Sequence, residues 1–255
     1  MWKLEKDREH ADKQADRPPA QDVPRSWYRI MRNLFFSSAA ADAQASGDKD
    51  PNFLFYTNQI ASKPDGAKVD DIHRLWDGDF ERLEMHHGYI QWLFPVFENA
   101  GMNWESLPLS KSGAALIRKD PEAQRRVIKS YRLMLKFYGL ELIDEKTGKL
   151  ARHSDAELYT NMIANLNTSG HNWLRVSRII TSLGELGFRR YKKELLEMLR
   201  KEVESGSLSN AARSLQQFWA PLVDAEGSPQ YKQKTLEEDA DREDGCLFVE
   251  GGELA

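Results

Sequence analysis

The stretch DPEAQRRVIKSYRLMLKFYG, residues 120–139, decides how this chain folds. Asp120 is a residue type favoured at the N-cap of a helix, and Pro121 stands at the first helical position, where its missing N–H costs nothing. Gly139 is placed to end the helix in the left-handed conformation. Between them, apolar side chains recur every three or four positions, which predicts one buried helix face: Val127, Ile128, Tyr131, Met134, Leu135 and Tyr138.

Immediately after this helix, residues 139–152 (GLELIDEKTGKLAR) have the alternation of extended chain, with a tight turn at Thr147–Gly148. This is the strand-like part of the sequence. Ser154 and Glu157 then form an S-x-x-E capping box, which predicts that Ser154 caps the next helix.

Three further helices are predicted towards the C-terminus. Asn172 is expected to cap a helix that continues to Leu183, and residues 189–204 form an amphipathic helix. Ser209 starts a last helix, which Pro221 is expected to stop because proline lacks the N–H that a helix interior needs.

Upstream of residue 120, the most apolar segment is predicted to be one helix. Asp79 is its N-cap, apolar residues follow at steps of three and four as far as Phe94, and Pro95 ends it. Shorter helices are predicted around Phe53–Tyr56 and around Trp27. About seven helices with short connections and little strand predict an all-α globular fold.

Composition assigns the ends of the chain to separate regions. The chain has 255 residues with a net charge of −4, and residues 235–255 hold eight acids and one base, so the remainder carries a charge of +3. Charged and proline-rich ends cannot bury enough apolar surface to offset the entropy of ordering. We therefore predict a flexible arm over 1–26, one helical domain over 27–222 and a disordered acidic tail over 223–255.

The same numbers exclude several classes of protein. The domain lacks the strongly basic balance of a nucleic-acid binder, so no nucleic-acid partner is predicted. No apolar run reaches the ~18 residues of a membrane span, and the N-terminus lacks the apolar stretch of a signal peptide. The single cysteine, Cys246, favours a reducing compartment, so we expect an intracellular protein located in the cytoplasm, or in the nucleus of a eukaryote.

Enzymatic motifs are missing, and an enzyme would have to use histidines and carboxylates. The sequence contains neither a G-x-S-x-G nucleophile motif nor a glycine-rich phosphate loop, and no cofactor is predicted. Glu84 and His87 have the E-x-x-H spacing of di-iron bundles, but those proteins need the motif twice. A core histidine with Glu84 as its hydrogen-bond partner is favoured over a metal ligand. The metal-enzyme alternative would use five residues: His73, Glu84, His86, His87 and His171.

Two basic features could bind a partner. Arg175 and Arg178 stand one turn apart and could hold a carboxylate or phosphate, although ordinary surface ion pairs are the favoured interpretation. The basic cluster at residues 189–193 could dock an acidic partner, although a solvated helix face is favoured. Four tryptophans are expected mostly in the core, with some able to line a groove: Trp76, Trp92, Trp104 and Trp173.

Several motifs, in order and spacing, resemble the conserved region of the opioid growth factor receptor family. The segment YIQWLFP (Tyr89–Pro95) follows Leu83–Glu84 and His86–His87. Further on come Asn103–Trp104, His171–Asn172 with Leu174–Arg175, and SLGELG at 182–187. The resemblance runs from about Trp27 to Pro221.

The resemblance implies a helical, non-enzymatic domain. The animal member of the family is known as a receptor for the pentapeptide Met-enkephalin that is associated with the nucleus and restrains cell proliferation. We therefore expect a domain that binds a short peptide or a protein partner between the helices at 80–94 and 171–183, with the arginine pair facing a peptide carboxylate. The predicted lining residues are His87, Trp92, His171, Arg175 and Arg178.

Overall fold

The computed structural model describes residues 50–97 and 105–224. Several sequence predictions lie outside these residues: the arm at 1–26, the helix around Trp27, Trp104, and the acidic tail beyond residue 224. Within them the chain is helical with one two-stranded antiparallel sheet, which confirms the predicted all-α class with a short hairpin.

Six helices come before the hairpin. They are α1 (Pro51–Tyr56), α2 (Val69–Leu75), α3 (Phe80–Met85), α4 (Tyr89–Leu93), α5 (Lys111–Lys119) and α6 (Pro121–Phe137). The short helices α2 and α5 were not predicted from the sequence. α6 contacts α1, α2 and α5, so the long helix organises this half of the domain.

The hairpin and four helical segments complete the described chain. Strands β1 (Leu140–Asp144) and β2 (Lys149–Arg152) precede α7 (Ala156–Thr168), α8 (Gly170–Glu185) and α9 (Arg189–Glu204). The C-terminal helical segment, residues 209–224, changes from a 3₁₀ turn through a π turn at Leu215–Trp219 to a last α-helical piece at Ala220–Asp224. α8 contacts α7, α9 and this C-terminal segment.

The predictions for residues 120–152 are confirmed in detail. Asp120 Oδ1 accepts a hydrogen bond from the backbone N–H of Ala123 at 2.8 Å, and Gly139 has a φ of +75° directly after the helix. The tight turn at Thr147–Gly148 joins β1 and β2. Tyr131 of α6 stacks on Tyr191 of α9 with ring centroids 5.6 Å apart, which joins the two halves of the core.

The predicted helix over 79–94 is wrong in one respect: it is two helices. Asp79 caps α3 through a hydrogen bond from Arg82 N, but the helix stops at Met85, and α4 begins at Tyr89. The two helices are buried differently: α3 buries Leu83, whereas all five residues of α4 are buried. The carbonyl groups exposed by the break are bound by a side chain from α8, described below.

Three predicted helix boundaries are also corrected. Asp155, one residue after Ser154, caps α7 by accepting from the N–H groups of Glu157 and Leu158. α8 begins at Gly170, and Asn172 is a buried residue inside it rather than its cap. Pro221 does not stop the last helix: the wider π turn just before it interrupts the regular i to i−4 ladder, so a missing N–H is tolerated there.

The core runs through all of these elements and includes three of the predicted tryptophans. Trp76, Trp92 and Trp173 are all buried. In the described ranges, no helix is long and apolar enough to cross a membrane.

Candidate functional site

The break between α3 and α4 is built around the buried side chain of Arg175. Arg175 is on α8, where its neighbours Trp173, Val176 and Ile179 face the core, and it is 5% exposed. The helix thus carries a guanidinium group into the interior, directly beneath residues 83–87.

Arg175 donates five hydrogen bonds within the protein. Its Nη1 contacts the carbonyl oxygen of Leu83 at 2.8 Å and Asn172 Oδ1 at 3.0 Å. Its Nη2 contacts the carbonyl oxygens of Glu84 at 3.1 Å and His86 at 2.7 Å, and His87 Nδ1 at 2.9 Å. The guanidinium also lies over the ring of Tyr89, 5.6 Å from its centroid. Arg175 therefore fixes the whole irregular segment between the two helices.

Glu84 is the second centre of this network. Its Oε2 accepts hydrogen bonds from the side-chain amides of Asn165 and Asn172, each at 3.0 Å. Its Oε1 lies 2.7 Å from His171 Nε2, although the ring is not aligned for a hydrogen bond. Burial alone would raise the pKa of Glu84, but the hydrogen bonds from Asn172 and Asn165, together with the neighbouring His171 and Arg175, outweigh it and lower the pKa. Glu84 is therefore a carboxylate at neutral pH.

The two histidines of the site meet edge to face. The ring centroids of His87 and His171 are 5.7 Å apart with an interplanar angle of 74°. Since a guanidinium can only donate, His87 Nδ1 must accept from Arg175, and the ring proton sits on Nε2. Burial and the charge of Arg175 lower the pKa of His87, and burial lowers the pKa of His171 despite the nearby carboxylate of Glu84. Both rings are therefore neutral at pH 7.

Three of the five predicted lining residues come together here: His87, His171 and Arg175. Trp92 lies in the core instead, 3% exposed, and donates from Nε1 to the carbonyl oxygen of Lys63 at 3.0 Å. Arg178 Nε donates to the carbonyl oxygen of Phe94 at 2.8 Å, and burial lowers its pKa to about 10. Both Nη atoms of Arg175 and the Nε of Arg178 are thus used in hydrogen bonds within the protein.

The five residues of the metal-enzyme alternative are divided among three places. Glu84, His87 and His171 share the Arg175 network. His86 Nδ1 lies 3.2 Å from Asp65 Oδ1, and His73 Nε2 lies 2.8 Å from Ser130 Oγ on α6. Across residues 50–97 and 105–224, no group of three or more His, Cys, Asp and Glu side chains is arranged to hold a metal ion.

The sequence did not identify the two asparagines that hold Glu84 or the role of Arg175 as a backbone clamp. Asn165 is more than 80 residues from Glu84 in the chain, and most of the acceptors of Arg175 are main-chain oxygens, which carry no sequence signal. The predicted solvated face at 189–193 is corrected as well. Lys192 within it is 4% exposed, and the Arg190 guanidinium lies over the ring of Tyr191.

Comparison with known proteins identifies a shared domain. The family model described as the opioid growth factor receptor (OGFr) conserved region matches residues 45–234. Opioid growth factor receptor-like protein 1 of Mus musculus is 38% identical over 173 residues, which is 68% of this chain and 36% of that protein. The opioid growth factor receptor of Homo sapiens is 39% identical over 161 residues, 63% of this chain and 23% of that protein.

These matches cover only part of the relatives. The chain spans about a third or less of the length of the curated relatives it matches, so the similarity concerns one domain of longer proteins. No solved structure matches the chain.

Proposed function

The chain belongs to the opioid growth factor receptor conserved-region family, and we propose that its helical domain binds a short peptide or a protein partner and catalyses no reaction. The relatives are named as receptors, which supports a binding role. The proposal places the binding site at the surface above Arg175.

The observation that carries this proposal is the rigid presentation of a small surface, which we name the histidine face: Glu84, Met85, His87 and His171. Glu84 and His87 belong to the segment that Arg175 holds, and Met85 in the same segment is 70% exposed. A buried arginine is costly to desolvate, and here it maintains an irregular segment rather than a regular helix. Because Arg175 holds this segment from below, the side chains on its surface are fixed in position, as a binding site requires.

The chemistry of the histidine face favours a ligand that donates hydrogen bonds. Glu84 is a carboxylate, both imidazoles are neutral, and the arginine beneath is occupied by internal acceptors. The α-amino group of a peptide suits Glu84 through a charge-assisted hydrogen bond, and an apolar side chain suits Met85. We therefore propose that a peptide is bound by its amino end, in place of the carboxylate-binding role that the sequence suggested for Arg175 and Arg178.

Calorimetric titration of Met-enkephalin into the full chain tests the proposal, with a scrambled pentapeptide as the sequence control. We expect saturable binding of Met-enkephalin only. Acetylation of its amino group should weaken binding about tenfold, because a hydrogen bond between charged groups contributes roughly 1.5–3 kcal/mol. Absence of heat with every peptide would reject this ligand class.

A pair of glutamate variants locates the site. Glu84→Gln keeps an oxygen that can accept from both asparagines but removes the charge, so it should weaken binding about tenfold. Glu81→Gln makes the same change on an exposed residue of the same helix and should leave the affinity unchanged. Equal affinities for the two variants would place the ligand elsewhere on the domain.

We also propose that the protein acts inside the cell, in the cytoplasm or the nucleus. The proposal is supported by the single cysteine in the chain, which suits a reducing compartment. Fluorescence microscopy of the tagged full chain tests it, and a signal confined to the medium or the secretory pathway would contradict it.

A further inference from the structure

A basic groove lies between α2 and α6, away from the histidine face. The groove has a volume of about 490 Å³ and is open to solvent along its length. Six cationic side chains line it, five of them on one face of α6 at spacings that a helix brings together: Arg74, Arg125, Arg126, Lys129, Arg132 and Lys136.

Three acidic residues in the lining offset part of this charge, and two carboxylates outside it pair with two more of the cations: Asp71 with Arg74 at 3.1 Å and Glu145 with Arg132 at 2.8 Å. Asp70 receives two hydrogen bonds from Arg126, each at 2.9 Å, and Asp77 receives one from Lys136 at 2.8 Å. Glu122 pairs with Arg125 at one end of the groove. Lys129, in the middle, is exposed and, among the residues that the structure describes, lies within ion-pair distance of no carboxylate, although its charge helps to lower the pKa of Asp70.

The groove suits an extended acidic peptide better than a nucleic acid. Single-stranded nucleic acids bind where aromatic rings stack on their bases, and no Phe, Tyr or Trp lines this groove. From Arg125 to Lys136 the basic stripe is about 16 Å long at 1.5 Å per residue of helix. Roughly five residues of extended chain cover that length at about 3.3 Å each.

The chain itself contains a segment of matching charge. Residues 237–244, EEDADRED, hold six acids and one base. Twelve residues, 225–236, separate Asp224, the last described residue, from Glu237, and the thirteen extended steps from Asp224 to Glu237 reach about 45 Å. A domain of this size has a radius of gyration of only about 15 Å, so the tether can reach the groove.

We propose that the acidic segment 237–244 docks in the basic groove between α2 and α6 of the same chain. Carboxylates of this segment then lie along the basic stripe, and one of them pairs with Lys129. The docked segment covers a surface that would otherwise attract other polyanions.

Paramagnetic relaxation in nuclear magnetic resonance spectra of the full chain tests this docking directly. Cys246 is the only cysteine and follows the acidic segment closely, so one nitroxide label can be attached without any substitution. At an ionic strength of about 0.01 M we expect the amide signals of residues 70–77 and 122–136 to be selectively weakened. They should recover at about 1 M, where the Debye length falls to about 3 Å.

Matched variants make the result specific. Lys129→Glu should restore the weakened signals, whereas Lys193→Glu, the same charge change at an exposed site on α9, should leave them weakened. Replacing Glu237, Glu238 and Asp239 by their amides should also restore the signals without touching the folded domain. Weakening spread evenly over the surface, centred on residues 189–193, or insensitive to Lys129→Glu would overturn the proposal.

Discussion

Arg175 alone donates hydrogen bonds to several of the carbonyl oxygens at the C-terminus of α3, a task that usually requires several groups. The last four carbonyl groups of a helix have no partner within the helix. At the end of α3, Arg175 donates to the carbonyl oxygens of Leu83, Glu84 and His86, and the hydroxyl of Tyr89 adds a second donor to Leu83. The break between α3 and α4 is therefore stable because a buried cation satisfies it.

Removal of this cation should destabilise the fold as well as the site. Arg175→Ala removes the Arg175 donor from the carbonyl oxygens of Glu84 and His86 and from Asn172 Oδ1, and each buried acceptor without a partner costs roughly 1–3 kcal/mol. We expect a loss of at least about 3 kcal/mol in the free energy of unfolding, measured by urea denaturation. Arg74→Ala, which breaks an exposed ion pair with Asp71, should cost under about 1 kcal/mol. A change of similar size for both variants would contradict the clamp.

His73 gives the stability of the domain a defined pH dependence. Burial lowers the pKa of His73 from 6.5 to about 4, and its Nδ1 is buried with no hydrogen-bond partner in the described residues. Between these two values the unfolded chain binds a proton that the folded chain does not, so the free energy of unfolding falls as the pH drops from about 6.5 to about 4. This residue contributes at most about 3 kcal/mol to that fall.

The substitution His73→Gln removes this contribution. Urea midpoints at pH 7, 5.5 and 4 should show a shallower decline for the variant than for the wild type, because only the wild type loses the stability of a neutral His73. Parallel declines would show that His73 does not remain neutral in the folded protein.

For individual residues, the sequence predicted several that lie together in the site but not the contacts that their side chains make. His87, His171 and Arg175 were expected together and do come together. Glu84 was expected to pair with His87 at i+3, but its carboxylate contacts His171, Asn165 and Asn172 instead. These partners come from α7 and α8, and no local spacing encodes a contact across more than 80 residues.

At the element scale, the helices with local start and stop signals are the ones that the sequence predicted well. α6 carries its own cap, proline and terminal glycine, and the 189–204 helix carries a clear apolar stripe. The break at 86–88 has no such signal apart from Gly88, because the tertiary hydrogen bonds of Arg175 maintain it. α2 and α5 have only seven and nine residues, too short for periodicity to show.

The contact between the hairpin and α9 depends on a glycine at the turn. Gly148 has a φ of +81°, and a Cβ built on it would lie 2.6 Å from Tyr191 Cδ1. Gly148→Ala must therefore strain the backbone and also displace a fully buried aromatic ring, so we expect a loss of roughly 2–4 kcal/mol. Differential scanning calorimetry measures the change.

Gly66 provides the matched control for this prediction. Its φ is +70°, but nothing lies within 4 Å of the position of its Cβ. Gly66→Ala should lower the free energy of unfolding by only about 1 kcal/mol, the cost of placing alanine at a positive φ. If the two variants lose equal stability, the close approach to Tyr191 has no energetic consequence.

At the scale of the whole molecule, α8 joins the site to the rest of the core. On one side it supplies Arg175 and Asn172, and on the other it supports the C-terminal helical segment. Trp219 in that segment is fully buried and donates from Nε1 to Ser177 Oγ of α8 at 3.1 Å. The C-terminal segment is thus an integral layer of the domain, and the boundary of the domain lies after it.

Truncation of the chain tests where the domain ends. A chain that stops after Asp224 retains Trp219, Leu215 and Val223, which are all buried, so its free energy of unfolding should equal that of the full chain. A chain that stops after Leu208 loses all three. Loss of a buried tryptophan alone costs about 3–5 kcal/mol, which approaches the 5–15 kcal/mol total of an ordinary domain, so cooperative unfolding should disappear.

Unfolding of the truncated chains should be measured at an ionic strength of about 1 M, where docking of the acidic segment is screened and cannot contribute to the difference. A loss of more than about 1 kcal/mol on stopping after Asp224 under these conditions would show that residues beyond it pack against the core, because surface changes alone stay within about 0.5 kcal/mol.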